Sequence, residues 1–252
     1  MPELRRSGAH WVVSLASGAE IEAVSLWRES GARGFFFNGF DDANIQSAIN
    51  RILRLSDPTR VVLANLPGLD YQAIYDCESI CEVIVGYGCP WPDLSCMERL
   101  TCFSAMEIEG DLRRLPPGLL ELGLYGFGSK TLEPLSSLHH LQRLDLRMAG
   151  RLENLFGIGS CLSDLSLAGC PRLRDITALK GHACIERLSL SSARGLLDVD
   201  EVFTLPSLRE LILDKVKTAP NVERLESLGL DHCYVNGLKL GGRSKASGMA
   251  LL

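Results

Sequence analysis

The sequence predicts an α/β solenoid in which short repeats stack side by side and each contributes one strand to a parallel sheet. The pattern L-x-x-L-x-L occurs six times in the second half of the chain, at intervals close to twenty residues. A repeat this short cannot bury its apolar face alone, so neighbouring repeats must stack. A hydrophobic content of 46% with few aromatic residues indicates a folded, aliphatic interior. The six instances are Leu119/Leu122/Leu124, Leu141/Leu144/Leu146, Leu162/Leu165/Leu167, Ile185/Leu188/Leu190, Leu208/Leu211/Leu213 and Leu225/Leu228/Leu230.

All repeats can be placed in one register by calling the middle leucine of each motif position n. Apolar residues at n−6, n−3 and n+2 then extend the pattern upstream to a first strand at His10/Val13/Leu15. The intervening repeats, from the nearest to the most distant, are Leu94, Met97, Leu100, Phe103, Met106 and Ile108; Cys77/Ile80/Val83/Val85; Pro58/Val61/Leu63; and Ala32/Phe35/Phe37. Later central positions fall at 35, 61, 83, 106, 122, 144, 165, 188, 211 and 228. Their intervals, from 16 to 26 residues, predict an irregular array.

The segment 41–55 has a different period. Ile45, Ile49, Ile52 and Leu53 share a helical face after the pair Asp41 and Asp42, which suits a helix cap. We therefore expect strand plus helix in the first repeats, and strand plus loop or short 3₁₀ turn in the later ones. Residues 1–240 are predicted to form one domain with a less regular N-terminal cap region over 1–60, followed by a flexible tail at 241–252.

These motifs resemble the leucine-rich repeat family over most of residues 30–235, most specifically over 94–231. The stretch Leu115-Pro116-Pro117-Gly118-Leu119-Leu120-Glu121-Leu122 is similar to the L-P-x-x-L-x-x-L unit of bacterial secreted effectors. The resemblance implies a right-handed horseshoe with a concave parallel β-sheet. The family's usual Asn at n+5 is absent, which predicts local irregularity or water at that turn. In its place stand Asp111, Phe127, Ala149, Cys170, Ala193, Val216 and Cys233.

The residues that flank the central leucine define the predicted contact surface. Alternate side chains of a strand point to opposite faces, so n−1, n+1 and n+3 face outward when n and n+2 face the core. This places an acidic patch beside two tyrosines, followed by a zone of mixed charge. The alternative is an ordinary solvated face with internal ion pairs. The predicted partner-binding residues are Glu82, Tyr87, Glu107, Glu109, Glu121, Tyr125, Arg143, Asp145, Arg147, Asp164 and Arg187.

Charge and cysteine usage narrow the class of partner. A net charge of −5 leaves no surplus of cations for nucleic-acid phosphates, so another protein, and in particular a basic one, is the expected partner. The sequence predicts neither a membrane span nor a signal peptide. Nine cysteines without framework spacing favour a reducing cytoplasm.

Motifs for chemistry are weak, and we predict no catalytic residue, metal site or cofactor. Gly123–Thr131 departs from a phosphate-binding loop because Ser129 separates Gly128 from Lys130. Acidic pairs such as Asp198 and Asp200 are typical of turns. A cluster of five cysteines contains neither a C-x-x-C pair nor a histidine, which favours packing over zinc. Its members are Cys77, Cys81, Cys89, Cys96 and Cys102.

Three functions follow from this pattern. The first is a non-catalytic cytoplasmic protein that binds a partner through its concave sheet, since short repeat proteins of this kind resemble bacterial immunity or adaptor proteins. The second is a secreted effector or substrate-recognition subunit that uses the same surface. The third is an enzyme, a hydrolase or nucleotide-binding protein with its site in the less regular first ninety residues.

Overall fold

A computed structural model describes residues 2–7, 10–15, 18–39, 44–106, 110–217 and 220–240. The chain divides into two compact units, and each is treated separately below. The N-terminal unit consists of Met1–Gly126 with Ser137–Leu141, and the C-terminal unit consists of Phe127–Ser136 with Gln142–Leu252. The single domain expected over 1–240 stays a prediction, and the predicted tail at 241–252 lies outside the described residues.

Among the described residues of the N-terminal unit, seven strands pair in chain order. β2 to β7 are parallel, whereas β1 pairs with β2 in the antiparallel sense and was not predicted. The strands are β1 (Glu3–Ser7), β2 (His10–Leu15), β3 (Gly34–Asn38), β4 (Arg60–Ala64), β5 (Glu82–Val85), β6 (Cys102–Ala105) and β7 (Glu121–Tyr125).

Helices connect the early strands of this unit, as predicted. α1 (Glu20–Ser30), α2 (Ile45–Leu55) and the short α3 (Gln72–Tyr75) precede two 3₁₀ turns at Leu94–Cys96 and Leu112–Arg114. The predicted apolar face of α2 is buried. Its N-cap is Asn44, while Asp41 and Asp42 lie outside the described residues.

The C-terminal unit has six strands and mostly 3₁₀ connections. β8 to β12 are parallel where their pairing is described, and β13 folds back antiparallel on β12. The 3₁₀ turns are Glu133–Leu135, Thr177–Leu179 and Asp200–Thr204. The short helix α4 (Val222–Ser227) was not predicted. The strands are β8 (Arg143–Arg147), β9 (Asp164–Ala168), β10 (Arg187–Ser191), β11 (Glu210–Asp214), β12 (His232–Val235) and β13 (Leu238–Lys239).

The structure corrects the predicted register of β6. We expected Met106 at position n and Ile108 at n+2, but Phe103 and Ala105 are buried and Met106 is 44% exposed. Val83 pairs with Phe103, and Phe103 pairs with Leu122, so position n of this repeat is 103. The error has a simple cause: apolar residues recur every third position from Leu94 to Met106, so frames offset by three residues look alike.

The last predicted strand is also wrong. Leu225 belongs to α4, where the side-chain oxygen of Asn221 caps the helix by accepting a hydrogen bond from the amide of Arg224 at 3.0 Å. The strand begins at His232, with Cys233 and Val235 buried. Position n moves from 228 to 233. Intervals of 23, 16 and 17 residues become 20, 19 and 22, so the array is more regular than expected.

In the C-terminal unit, a ladder of backbone hydrogen bonds occupies the turn where the family's usual Asn is absent, for which the sequence predicted local irregularity or water. Residues at n+4 adopt positive φ, and their amides donate to the next repeat: Met148 to Ala168 (2.8 Å), Gly169 to Ser191 (2.9 Å) and Ser192 to Asp214 (2.8 Å). At n+5 the residues are buried and apolar, namely Phe127, Ala149, Cys170, Ala193 and Val216. Repeat-to-repeat amide bonds thus satisfy these turns without a buried Asn.

With the corrected registers, two of the residues assigned to n+5 lie elsewhere in the repeat. Asp111 caps the 3₁₀ turn Leu112–Arg114 by accepting from the amide of Arg113 at 3.0 Å. Cys233 is a core residue of β12.

Candidate functional site

Three apolar side chains form a stripe on the outward face of the N-terminal unit. Phe36, Val62 and Ile84 occupy n+1 of β3, β4 and β5, and they are direct neighbours in the parallel pairing. Each is half-buried, whereas the flanking n and n+2 residues are buried in the core. Strands in a sheet lie about 4.8 Å apart, so the three side chains make one continuous surface. We call these residues the apolar stripe.

Small side chains follow the apolar stripe on the next two strands. Ile84 is paired with Ser104, which is paired with Gly123. A Cβ at Gly123 would lie only 2.7 Å from the Ser104 hydroxyl oxygen. This part of the sheet therefore presents little side-chain bulk beside the stripe. At the other end, the guanidinium of Arg5 lies 5.9 Å from the centre of the Phe36 ring.

One glutamate of the predicted acidic patch is paired with a neighbouring cation. Glu82 forms an ion pair with Arg60, whose side chain is only 4% exposed, so its charge is compensated within the sheet face. Glu121 lies at n−1 of β7. Glu107 and Glu109 lie outside the described residues, and β6 ends at Ala105.

Cys102 lies between Glu82 and Glu121, which occupy the paired positions on the two neighbouring strands. It pairs with Glu121 across the sheet, and its thiol donates to Oε1 of Glu82 at 3.5 Å. Burial, together with the negative charges of Glu82 and Glu121, raises the pKa of Cys102 to about 12. The thiol is therefore protonated at neutral pH and is a poor nucleophile.

The two predicted tyrosines contact each other. The rings of Tyr87 and Tyr125 lie edge to face with their centres 6.4 Å apart. Tyr87 is 48% exposed and Tyr125 is half-buried. The amide of Asn65 donates to the carbonyl of Tyr87 at 2.7 Å, which anchors the turn that carries this ring. The pair forms an aromatic border at the carboxyl ends of the strands.

The predicted mixed-charge zone of the C-terminal unit is internally paired. Oδ2 of Asp164 accepts hydrogen bonds from Nε of Arg143 at 3.1 Å and from Nε of Arg187 at 2.9 Å. Hydrogen bonding to Asp164 raises the pKa of Arg187. Asp145 pairs with Arg147 at 3.0 Å. Arg143, Asp164 and Arg187 thus form one network and Asp145 and Arg147 a separate pair, while Oδ1 of Asp145 is buried without a hydrogen-bond partner among the described residues.

Two outward residues of the C-terminal unit were missed. Ile212 and Tyr234 are neighbours at n+1 of β11 and β12, and they are 41% and 43% exposed. Ile212 follows Leu211 at n+1, a position predicted to face outward, but it is not among the predicted partner-binding residues. Tyr234 was hidden by the wrong register of the last repeat. The alternation of Cys233, Tyr234 and Val235, apolar residues flanking an aromatic one, was the available signal.

Groups for chemistry are scattered rather than assembled. An open groove of about 670 Å³ lies between α1 and α2, and its charged lining consists of Arg28, Arg51 and Arg54. Among the described lining residues there is no carboxylate, imidazole or thiol, so the groove offers anion contacts rather than an acid–base pair. The side chain of Asp198 accepts from the amide of Asp200 at 2.9 Å, an arrangement typical of a turn.

Cysteines were the other candidates for chemistry. All nine are free thiols. In the part of the chain that the structure describes, no three His, Cys, Asp or Glu side chains are grouped closely enough to hold a metal ion. None of the helices there has the length and apolar character that crossing a bilayer requires.

No protein-family model and no curated protein matches the chain. Among solved structures, it is similar to the functional domain of InlJ from Listeria monocytogenes, with 16% identity and a TM-score of 0.48 over 69% of this chain and 38% of that one. It is also similar to the internalin InlF from Listeria monocytogenes (15%, TM-score 0.45, 82% of this chain and 62% of that one). A third is the leucine-rich repeat domain of the type III effector XopL (17%, TM-score 0.49, 79% and 72%). The chain spans less than two thirds of both Listeria structures.

Each unit has the architecture of a leucine-rich repeat solenoid. Each L-x-x-L-x-L motif from Leu119 to Leu213 places its second and third apolar residues in the core of a strand, and successive strands within each unit pair in parallel. Helices in the early repeats and 3₁₀ turns in most later ones complete the predicted pattern.

Proposed function

We propose that the chain is a non-catalytic protein-binding module and that the outward face of its N-terminal unit contacts the partner. The apolar stripe carries this proposal. Single exposed apolar residues are common on protein surfaces, but Phe36, Val62 and Ile84 stand side by side on three paired strands. A continuous apolar surface of this kind is characteristic of a contact site.

The surroundings of the stripe support the same use. Tyr87 and Tyr125 form an aromatic border, and tyrosine is enriched among residues that dominate binding energy. Met106, 44% exposed directly after β6, adds a flexible apolar side chain on the repeat between those that carry Tyr87 and Tyr125. Because these groups are held by hydrogen-bonded strands and turns, little conformational entropy is lost when a partner binds.

Charge favours a basic partner, although less strongly than the sequence indicated. Arg60 compensates the charge of Glu82, so we assign the contact itself to the apolar stripe. The net charge of −5 favours the approach of a basic protein. Our leading assignment is an immunity or adaptor role in the cytoplasm. A secreted effector or substrate-recognition subunit would use the same face, and export in a secretion assay distinguishes it.

An enzyme with its site in the first ninety residues is the third candidate. The groove between α1 and α2 is the observation nearest to it, and its guanidinium groups would hold an anion without supplying a nucleophile or general base. A native mass spectrum of the purified chain tests this candidate, because a retained nucleotide or metal would favour it.

The binding proposal is tested with one pair of matched variants. The partner is recovered by co-purification from the native cell, and its affinity is then measured for the wild type, for Val62→Thr/Ile84→Thr and for Ile21→Thr. Threonine keeps the β-branched shape while removing apolar surface. Ile21 is 60% exposed on α1, away from the sheet face. We expect the double variant to bind at least about tenfold more weakly and the control to bind like the wild type.

Two results would decide against the proposal. Equal losses in the double variant and the Ile21→Thr control would mean that the stripe is not the contact surface. Unchanged recovery after replacement of Glu107, Glu109 and Tyr125 would remove the acidic patch and the aromatic border from the interface.

A further inference from the structure

Two exposed cysteines in the C-terminal unit occupy the same position in consecutive repeats. Cys161 lies four residues before Leu165, the position n of β9, and Cys184 lies four residues before Leu188, the position n of β10. Both are exposed free thiols, unlike Cys170 and Cys233, which are buried in the core of the same unit. The repeat architecture therefore places two exposed thiols, 23 residues apart in sequence, at equivalent positions of adjacent repeats.

Contacts on both sides of the cysteines keep these two segments in register. Before them, Nε2 of His182 is hydrogen-bonded to the carbonyl of Gly159 at 3.0 Å. After them, the amide of Glu186 donates to the carbonyl of Ser163 at 2.9 Å. Each contact joins equivalent positions, n−6 in the first case and n−2 in the second. Position n−4, which lies midway, is therefore aligned as well.

The next repeat shows how close these segments are. The hydroxyl of Ser207, the residue at n−4 of β11, donates to the carbonyl of Ala183 at 2.7 Å. A side chain at n−4 thus reaches the preceding repeat directly. Neighbouring strands are about 4.8 Å apart, and disulfides span Cα separations of roughly 4.4 to 6.8 Å. The general spacing of neighbouring strands lies within this range.

We propose that Cys161 and Cys184 form a redox-sensitive disulfide that links two adjacent repeats. With glutathione disulfide as oxidant, one thiol loses its proton and the thiolate attacks a glutathione sulfur, releasing one reduced glutathione and leaving a mixed disulfide. The second thiolate then attacks the protein sulfur of that mixed disulfide and releases the second glutathione. Two protein thiols are oxidised to one disulfide, and one glutathione disulfide is reduced to two thiols.

This disulfide would be a reversible cross-link that stabilises the C-terminal unit. It would restrict the unfolded chain between the two repeats and so raise the stability of the folded state. Since both sulfurs are exposed, cellular thiols would reach the bond and reduce it. The site does not depend on the binding face proposed for the N-terminal unit.

The test uses the purified full chain, incubated with glutathione disulfide, alkylated and digested with trypsin. We expect peptides 152–172 and 181–187 to appear as one cross-linked species, which dithiothreitol separates. Fragment ions must place the link on Cys161 rather than on Cys170, which shares its peptide. In Cys161→Ser, Cys184 should instead carry glutathione, because the resolving thiol is absent. Cys96→Ser, which removes an exposed thiol of the N-terminal unit, should leave the cross-link unchanged.

A second measurement covers stability. Oxidation should raise the Tm of the wild type by a few degrees and leave that of Cys161→Ser unchanged. Equal glutathione adducts on Cys184 in the wild type and in Cys161→Ser would overturn the proposal. A cross-link that joins either cysteine to a different thiol would overturn it as well.

Discussion

The guanidinium of Arg60 and the carboxylate of Glu82 form an ion pair on neighbouring strands of the N-terminal unit, with side chains only 4% and 14% exposed. Both occupy position n−1, directly opposite each other in the parallel pairing of β4 and β5. The pair lies on the outward face of the sheet, the face that alternation predicts to be solvated. The charge of Glu82 is therefore neutralised by Arg60 within the protein before any partner binds.

Replacement of Glu82 by Gln tests how much this pair stabilises the fold. The change keeps the shape of the side chain but leaves the buried Arg60 charge without its carboxylate, so the free energy of unfolding should fall by about 3 kcal/mol. Urea unfolding measures it. Glu78→Gln is the matched control, because the Glu78–Arg99 pair is 3.9 Å long and its side chains are 84% and 73% exposed. That variant should change stability by less than about 1 kcal/mol, and equal effects would contradict the prediction.

The raised pKa of Cys102 predicts low reactivity. Its pKa rises from 9.0 to about 12, because burial and the charges of Glu82 and Glu121 disfavour the thiolate. At pH 9 iodoacetamide should alkylate Cys102 far more slowly than the exposed Cys96 in the folded chain, and at comparable rates in urea. Site-resolved mass spectrometry measures both rates. Equal rates in the folded chain would contradict the prediction.

The raised pKa of Cys102 also makes the free energy of unfolding depend on pH. A thiol with a higher pKa in the folded chain than in the unfolded chain binds its proton more tightly when folded. Its contribution to stability is therefore complete below about pH 9 and is lost as the pH rises from 9 towards about 12. Cys102→Ala should unfold with a weaker dependence on pH in this window than the wild type. An unchanged slope would contradict the prediction.

Gly34 should not tolerate any side chain. A Cβ there would lie 1.6 Å from the carbonyl oxygen of Arg60, a backbone atom held in the β3–β4 pairing. Gly34→Ala must therefore push the strands apart, and we expect a loss of at least about 3 kcal/mol or failure to fold. Circular dichroism during urea unfolding measures the loss.

Gly68→Ala is the control for that variant. Nothing lies within 4 Å of a Cβ at Gly68, and its φ is not in the left-handed region. This change should leave stability within about 1 kcal/mol of the wild type, because it only restricts the unfolded chain. A Gly34→Ala variant as stable as Gly68→Ala would show that the two strands are not closely packed at this position.

Much of the architecture was predictable because it depends on local alternation. Within each repeat, apolar residues at n and n+2 flank an outward residue, and the structure confirms this at Leu122, Leu144, Leu165, Leu188 and Leu211. The same alternation located Phe36, Val62 and Ile84 on the outward face. The helix α2 was also predictable, since its apolar period of 3.6 residues is local to one segment.

Two strands were misplaced where local patterns are ambiguous. Around Phe103, apolar residues at every third position fit several frames equally well, and the pairing with Val83 and Leu122 selects one of them. Around Leu225, the leucine spacing suits one turn of helix as well as a strand, and the cap at Asn221 together with the pairing of Leu211 with Cys233 selects the helix. Through these errors Tyr234 was missed, and the exposed Met106 was assigned to the core.

The amino-acid pattern alone established the solenoid, the approximate repeat length, the change from helical to 3₁₀ connections and the division of each strand into inward and outward residues. All four features depend on residues that lie within a few positions of one another in the sequence. The exact frame of β6 and β12, the pairing of Arg60 with Glu82 and the alignment of Cys161 with Cys184 required the folded chain. Each of these features depends on a residue about twenty positions away in sequence, which the stacking of repeats brings close. The local period of apolar residues fits several frames, and only the pairing with the neighbouring repeat selects one of them.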